Sequence, residues 1–464
     1  MAKLTFYGAT GTVTGSRFLF EFQDQTYLVD CGLFQGRKEN RLKNWQPFPV
    51  HPSKIDRILL THAHIDHSGY LPRFFRDGFK GVIHCTHATR DLCEILLRDS
   101  AHIQMEDARW ANKKGFTKHK PALPLYRVKD AERVMQRFMP HHYGEDCYVL
   151  DNLRVKFKDA GHILGSAYVE FKTRLGDDSR KILFSGDLGR PGRPILRDPV
   201  QAFNVDYLVL ESTYGNRLHN DSYPKEELAR IINESVNACG VLLIPAFAIG
   251  RTQTLLYDIR DLEEKGIIPS MPVYVDSPMA VDATEVFEKH KGDYDLESKI
   301  LELEGKRILQ PKQIHIVKNR KQSKKIGEIK KGAIIISASG MLTGGRILHH
   351  LLQRLPNPCN TVLLIGYQAE GTRGRAIMDG KKEIKIHGEQ VPVRAKIKTI
   401  SGYSGHADYN EILAWLMGFN RPPKKTFLVH GEPDAARSLK AKIQETFGWN
   451  VTIPEFGERF ELDL

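Results

Sequence analysis

The 464-residue chain predicts an α/β protein in two parts: a β-rich domain that opens at the amino terminus and is completed at the carboxyl terminus, and an α/β domain inserted into it. Three observations predict this. The length exceeds the size at which a single hydrophobic core stops growing, so two cores are expected. Residues 1–216 carry short apolar or alternating runs punctuated by glycine, the pattern of strands joined by tight turns. Over residues 217–400 the pattern changes to continuous apolar strands, each followed by a glycine or serine loop and a helix, as in a parallel sheet covered on both faces. Residues 401–464 return to strand, helix and strand, which can complete the first domain.

Composition narrows the function classes. Hydrophobic content of 41% with 9% aromatic residues supports folding throughout. A formal net charge of +12 favours a polyanionic partner, with nucleic acid the leading candidate, although charge alone also fits a generally basic protein. The six cysteines form no CxxC pair and read as buried packing residues of a reduced, cytoplasmic protein. The amino terminus enters a strand at once, without the apolar stretch of a signal peptide, and no segment is long and apolar enough to span a bilayer, so no membrane partner is expected.

In chain order, residues 4–8 and 17–30 read as strands around Gly8, Gly11 and Gly15, and Asp30 ends the strand Tyr27-Leu28-Val29. There a carboxylate could buttress a metal-bound imidazole or simply serve a turn. The apolar run Ile58-Leu59-Leu60 then delivers Thr61-His62-Ala63-His64-Ile65-Asp66-His67, three imidazoles and a carboxylate within six residues. A histidine-rich surface loop is the bland alternative, but an HxHxDH set at a strand end is what an oxygen- and nitrogen-liganded metal needs. Residues 88–110 have helical spacing, and His84, His87, His102, His119, His141 and His142, lacking ligand spacing, read as surface or core histidines.

Further ligands should lie at later strand ends. His162 follows Leu153-Arg154-Val155-Lys156-Phe157, and Asp187 follows Ile182-Leu183-Phe184, each in a glycine turn. The ordered set of HxHxDH, His and Asp suits two adjacent divalent ions, with an imidazole set for one, Asp66 and His67 for the other, and Asp187 between them. Glu211 ends the strand Tyr207-Leu208-Val209-Leu210, and His406 and His430 occupy glycine-flanked turns near the carboxyl terminus. In the inserted part, Ser337, Ser339 and Gly340 beside Gly344-Gly345-Arg346 resemble a strand-to-helix phosphate cradle, and Arg251 sits at a similar turn; tight-turn chemistry explains the glycines equally well. The basic run Lys318–Lys325 reads as a solvated face.

These motifs, together with Val209-Leu210-Glu211-Ser212-Thr213-Tyr214-Gly215 and Ser404-Gly405-His406-Ala407-Asp408, resemble the β-CASP branch of the metallo-β-lactamase superfamily over essentially the whole chain. That branch includes the endonuclease subunit of pre-mRNA 3′-end cleavage and its shorter prokaryotic relatives. The resemblance implies a metallo-β-lactamase αββα sandwich over 1–216 and 401–464, with a β-CASP domain inserted over 217–400, in a minimal form without preceding KH-type RNA-binding domains. It implies two zinc ions, one held by His62, His64, His162 and Asp187 and the other by Asp66, His67, Asp187 and His430, with Asp30 behind them. Manganese can substitute at such ligands. It further implies that Glu211, His406 and Asp66 are catalytic and that His430 marks an RNA-acting member; the cradle-like turns of Arg251, Ser337, Ser339 and Gly340 are the expected RNA contacts of the inserted domain. The expected activity is zinc-dependent endonucleolytic hydrolysis of single-stranded RNA, with 5′-exonuclease activity left open, as is assembly into a homo-oligomer. A small-molecule hydrolase such as a thioesterase or lactonase would share HxHxDH but would not need Glu211, His406 or the insertion, and the intact ligand set disfavours a non-catalytic RNA-binding scaffold.

Overall fold

The computed structural model describes residues 2–115, 119–175, 178–219, 224–366, 368 and 371–464. The chain divides into two compact units, one comprising Met1–Arg193, Arg197–Leu218 and His406–Leu464, the other Pro194–Leu196 and His219–Gly405.

Two seven-stranded sheets form the first unit. In one, the order is Arg459–Leu462, Ala2–Phe6, Phe18–Phe22, Gln25–Val29, Arg57–Leu59, Val82–Thr86 and Phe138–His141; in the other it is Val451–Thr452, Lys425–Val429, Tyr207–Glu211, Asp178–Phe184, Ala167–Leu175, Leu153–Asp159 and Cys147–Leu150. Alternation explains why they stack. Along Leu153–Asp159 every second residue is buried, and Val155 and Phe157 join Phe18, Phe20, Tyr27, Phe171 and Phe184 in one apolar layer. Phe20 meets Phe171 at 4.9 Å and Phe6 meets Phe427 at 5.2 Å between ring centroids, so the two sheets are joined by aromatic contact.

Helices cover the outer faces. Tyr409–Met417 and Pro433–Phe447 bury Ile412, Trp415, Leu416, Leu439 and Ile443 against Leu208, Leu210 and Leu428. Tyr207–Glu211 is therefore buried on both faces, which is why its sequence is continuously apolar before the acid. On the other sheet the long helix His87–Lys114 packs against Val82–Thr86 and Phe138–His141. It begins at the Thr86 cap, whose side chain accepts from the Thr89 amide, and ends at Gly115 in the left-handed conformation.

The second unit is built on a six-stranded parallel sheet in the order Ile314–Ile316, Val273–Val275, Ala333–Ser337, Val241–Pro245, Thr361–Ile365 and Lys396–Ile400. Apolar clusters lie on both faces: Leu242, Ile244, Ile334 and Ile336 on one, and Leu243, Ile335, Val362 and Leu364 on the other. The expected strand, loop and helix repeat is interrupted by an antiparallel ribbon, Glu383–Ile386 with Glu389–Pro392, which turns at His387 and Gly388 in positive-φ conformations. The cysteine expectation needs correction. Cys31, Cys85, Cys93 and Cys147 are buried, but Cys239 and Cys359 are exposed, because they lie in turns before strands Val241–Pro245 and Thr361–Ile365 rather than inside them.

Candidate metal centre

The first unit gathers its polar residues at strand ends. Tyr207–Glu211 runs parallel to both Asp178–Phe184 and Lys425–Val429, so Asp187, Glu211 and His430 emerge at one edge of their sheet. From the other sheet, Arg57–Leu59 leads into Thr61 and His62 and then the short helix Ile65–Ser68, which carries Asp66 and His67. Backbones must come close for this to work. A Cβ on Gly32 would fall 1.6 Å from the Asp66 carbonyl oxygen, and Gly186, at φ +55, packs against the Thr61 side chain.

His62, His64, His162 and Asp187 turn one ligand atom each into a common space, and Asp66, His67 and His430 form an adjoining group. His64 Nδ1 lies 3.1 Å from His62 Nε2 and 3.3 Å from His162 Nε2, and Asp187 Oδ2 is 3.4 and 3.6 Å from those two ε-nitrogens. One proton on His64 Nδ1 could serve only one of its two imidazole neighbours. Four ligands about 2.05 Å from a tetrahedral zinc stand roughly 3.3 Å apart, so the spacing fits a shared cation better than a hydrogen-bond network. In the adjoining group His67 Nε2 is 3.2 Å from His430 Nε2 and 3.2 Å from Asp187 Oδ1, and His430 Nε2 is 3.5 Å from Asp66 Oδ2. Asp187 thus presents one oxygen to each group, and its buried Oδ1 has no hydrogen-bond donor among the described residues.

Burial sets the protonation states. His62 is pushed down to about 3 by burial and by His67, and His64 to about 4 chiefly by burial, while burial and His406 lower His162. All three are therefore neutral, the form that binds metal. His67 moves upward, because Asp187 and Asp30 outweigh its burial.

Several groups orient these rings. Asp30, at φ +60, accepts from the Thr61 amide at 2.8 Å and pairs with His67 Nδ1 at 2.7 Å, leaving His67 Nε2 for the centre. The Thr61 hydroxyl donates to Asp30 and lies 3.1 Å from His62 Nδ1, and the Thr213 hydroxyl lies 3.1 Å from His430 Nδ1. Sequence reasoning assigned no role to either threonine; the only available signal was a hydroxyl next to a ligand motif. Glu211 is fully buried, accepts from the Leu188 amide at 2.6 Å, and holds His406 Nδ1 with both oxygens at 3.1 Å. That contact turns His406 Nε2 away from the acid. The His406 ring is tilted against His162 with centroids 4.5 Å apart, which places it beside the first group.

The residues marked for RNA lie in the second unit. Ser337 is buried and donates to the Asp276 carbonyl at 2.9 Å, and a Cβ on Gly340 would lie 2.9 Å from the Phe247 ring. The Ser339 hydroxyl lies 3.1 Å from the Thr343 amide and 3.1 Å from the Thr343 hydroxyl, so it closes its own loop. Arg251 opens the helix Arg251–Glu264 and donates to the Tyr403 carbonyl. Arg346, beside the expected cradle, is bonded to Asp276 at 2.6 Å. Lys318–Lys325 is an exposed face around the short helix Arg320–Ile326.

Residues 11–144 match the metallo-beta-lactamase superfamily, residues 252–377 the Beta-Casp domain, and residues 390–454 the Zn-dependent metallo-hydrolase RNA specificity domain. Ribonuclease TTHA0252 of Thermus thermophilus is 35% identical over 98% of this chain and 99% of its own length. An RNase J-like protein of Methanocaldococcus jannaschii is 31% identical over 98% of this chain and 99% of its own. The transcription termination factor FttA of Methanothermobacter thermautotrophicus is 31% identical over 98% of this chain and 70% of its own. A crystal structure of a protein of unknown function from Enterococcus faecalis V583 shares the fold over 99% of this chain, with a TM-score of 0.54 and 13% identity. The chain belongs to the β-CASP family of the metallo-β-lactamase superfamily.

Proposed function

We propose that this protein is a zinc-dependent ribonuclease that cuts single-stranded RNA endonucleolytically with two metal ions. The observation that carries the reading is Asp187, whose two oxygens face two separate groups of ligands. His62, His64 and His162 would hold one ion and Asp66, His67 and His430 the other. Bound divalent ions would supply water activated near neutral pH and positive charge against the phosphoryl oxygens. The remaining chemistry falls to the chain. Glu211 holds His406 through its Nδ1–H, and a ring protonated on both nitrogens would give its Nε2 proton to the leaving oxygen. Asp66 would orient the attacking water while serving as a ligand. Similarity to a ribonuclease and a match to an RNA specificity domain support RNA as the polymer, and the basic net charge fits it.

The test uses linear RNA, circular RNA, single-stranded DNA and a chromogenic ester with the same preparation. Endonuclease action predicts cleavage of both RNA forms and its loss on strong chelation. Uncut circular RNA would move the reading to an end-dependent exonuclease, and ester turnover without RNA cleavage would end it. Two variants divide the roles. His430→Ala should lose metal and activity together, whereas His406→Ala should keep its metal and slow single-turnover cleavage by about a hundredfold. Metal lost from His406→Ala, or fully retained by His430→Ala, overturns that division.

A further inference from the structure

A second set of metal-ligating groups meets elsewhere in the first unit. His84 lies in strand Val82–Thr86, His141 ends Phe138–His141, the edge strand of one sheet, and Cys147 opens Cys147–Leu150, the edge strand of the other. The three are 4, 6 and 8% exposed, and their donor atoms all lie within 4.8 Å of one another. His84 Nδ1 is 2.9 Å from His141 Nε2 and 3.7 Å from Cys147 Sγ. The His141 ring stacks on Phe157 with an interplanar angle of 8°, which fixes its direction.

Without an ion the first distance is that of an imidazole–imidazole hydrogen bond and the second that of a weak thiol contact with the same nitrogen; an ion would replace both and move the two rings apart by a few tenths of an ångström, to roughly 3.3 Å. One His84 nitrogen faces both a ring nitrogen and a sulfur, and carries either one proton or one lone pair for the two. A single ion reached by imidazole nitrogen at about 2.05 Å and thiolate sulfur at about 2.3 Å would space nitrogen and sulfur by roughly 3.5 Å. Burial, together with neighbouring imidazole charge at His84, keeps both histidines in the neutral form that ligates. Burial raises the Cys147 thiol, with Arg57 working against it, so the sulfur would become a thiolate only as an ion displaces its proton.

We propose that His84, His141 and Cys147 form a structural metal site for a thiophilic d10 ion, the chemistry shared by zinc and copper(I), which ties together the edge strands of the two sheets. Binding exchanges the Cys147 thiol proton for the ion: the S–H bond breaks, a sulfur–metal bond forms, and one proton leaves to solvent. No electron changes hands. The turn between His141 and Cys147 is where the chain passes from one sheet to the other, so the ion would hold that corner.

Cobalt(II) separates this site from the catalytic centre, whose ligating group contains no cysteine. The full-length protein carrying Cys239→Ser and Cys359→Ser, to remove the exposed thiols, is stripped of metal and titrated with cobalt while sulfur-to-cobalt charge-transfer absorption is followed. The expected result is a band whose final intensity, once the other centre is also filled, matches one cobalt-bound thiolate per chain, and which vanishes in the added Cys147→Ser variant and is bleached by excess zinc or copper(I); the stronger competitor identifies the ion. No band in the parent, an unchanged band in Cys147→Ser, or failure of both competitors to bleach it would overturn the proposal. Cys147→Ser alters a single atom, and its unchanged cobalt binding at the His62 centre, seen in visible absorption, verifies that it folds.

Discussion

Asp187 and Asp276 are both buried carboxylates placed just beyond the carboxyl end of a strand, and their surroundings differ completely. Asp276, in the second unit, accepts from Arg346 at 2.6 Å on one oxygen, and from Ser323 at 2.6 Å and His350 at 2.7 Å on the other. These partners hold its carboxyl below the usual range despite its burial. Asp187 is 2% exposed, faces five imidazoles, and has an oxygen without a hydrogen-bond donor among the described residues. A buried charge satisfied on every side has a structural role already filled. One left incomplete beside the neutral imidazoles of His62 and His162 calls for a cation.

Substitutions can break that contrast. Asp187→Ala should have the largest effect, removing metal from both groups and slowing RNA cleavage by more than about a thousandfold, as read by metal analysis and single-turnover kinetics. Full metal content in this variant would remove Asp187 from its bridging position. Asp30→Asn acts one step back, through His67 and Thr61, and should weaken metal affinity by roughly tenfold to a hundredfold in a competition titration while cleavage recovers at saturating metal. Asp276→Ala should leave metal content unchanged and lower unfolding stability by about 3 kcal/mol or more in denaturant melts, since Arg346 and His350 lose a buried partner. Metal lost there would mean that the two carboxylates are not different in kind.

The α/β organisation with an inserted domain was legible because apolar periodicity changes sharply after Glu211, and the candidate ligands that the fold gathers because each follows an apolar strand into a turn. Their partners were not. Thr61 and Asp30 are 31 residues apart and Thr213 and His430 are 217 apart, so sheet register alone brings these hydroxyls into use, and isolated threonines carry no mark of it. His84, His141 and Cys147 have no spacing pattern for the same reason. The expected cradle shows the opposite problem. Ser337 occupies the position a phosphate-binding serine would take, yet its hydroxyl is committed to the Asp276 backbone, a long-range contact that no local motif displays.

The strand order also has a consequence for synthesis. The amino-terminal strand Ala2–Phe6 takes its outer neighbour from Arg459–Leu462, and His67 must wait for His430, 363 residues later in the chain. A growing polypeptide therefore exposes the HxHxDH set long before it owns the partner that completes it. On the proposed activity, the chain is incompetent as a nuclease until His430 has been made, and until then the messenger being read is spared by the order in which the residues are made.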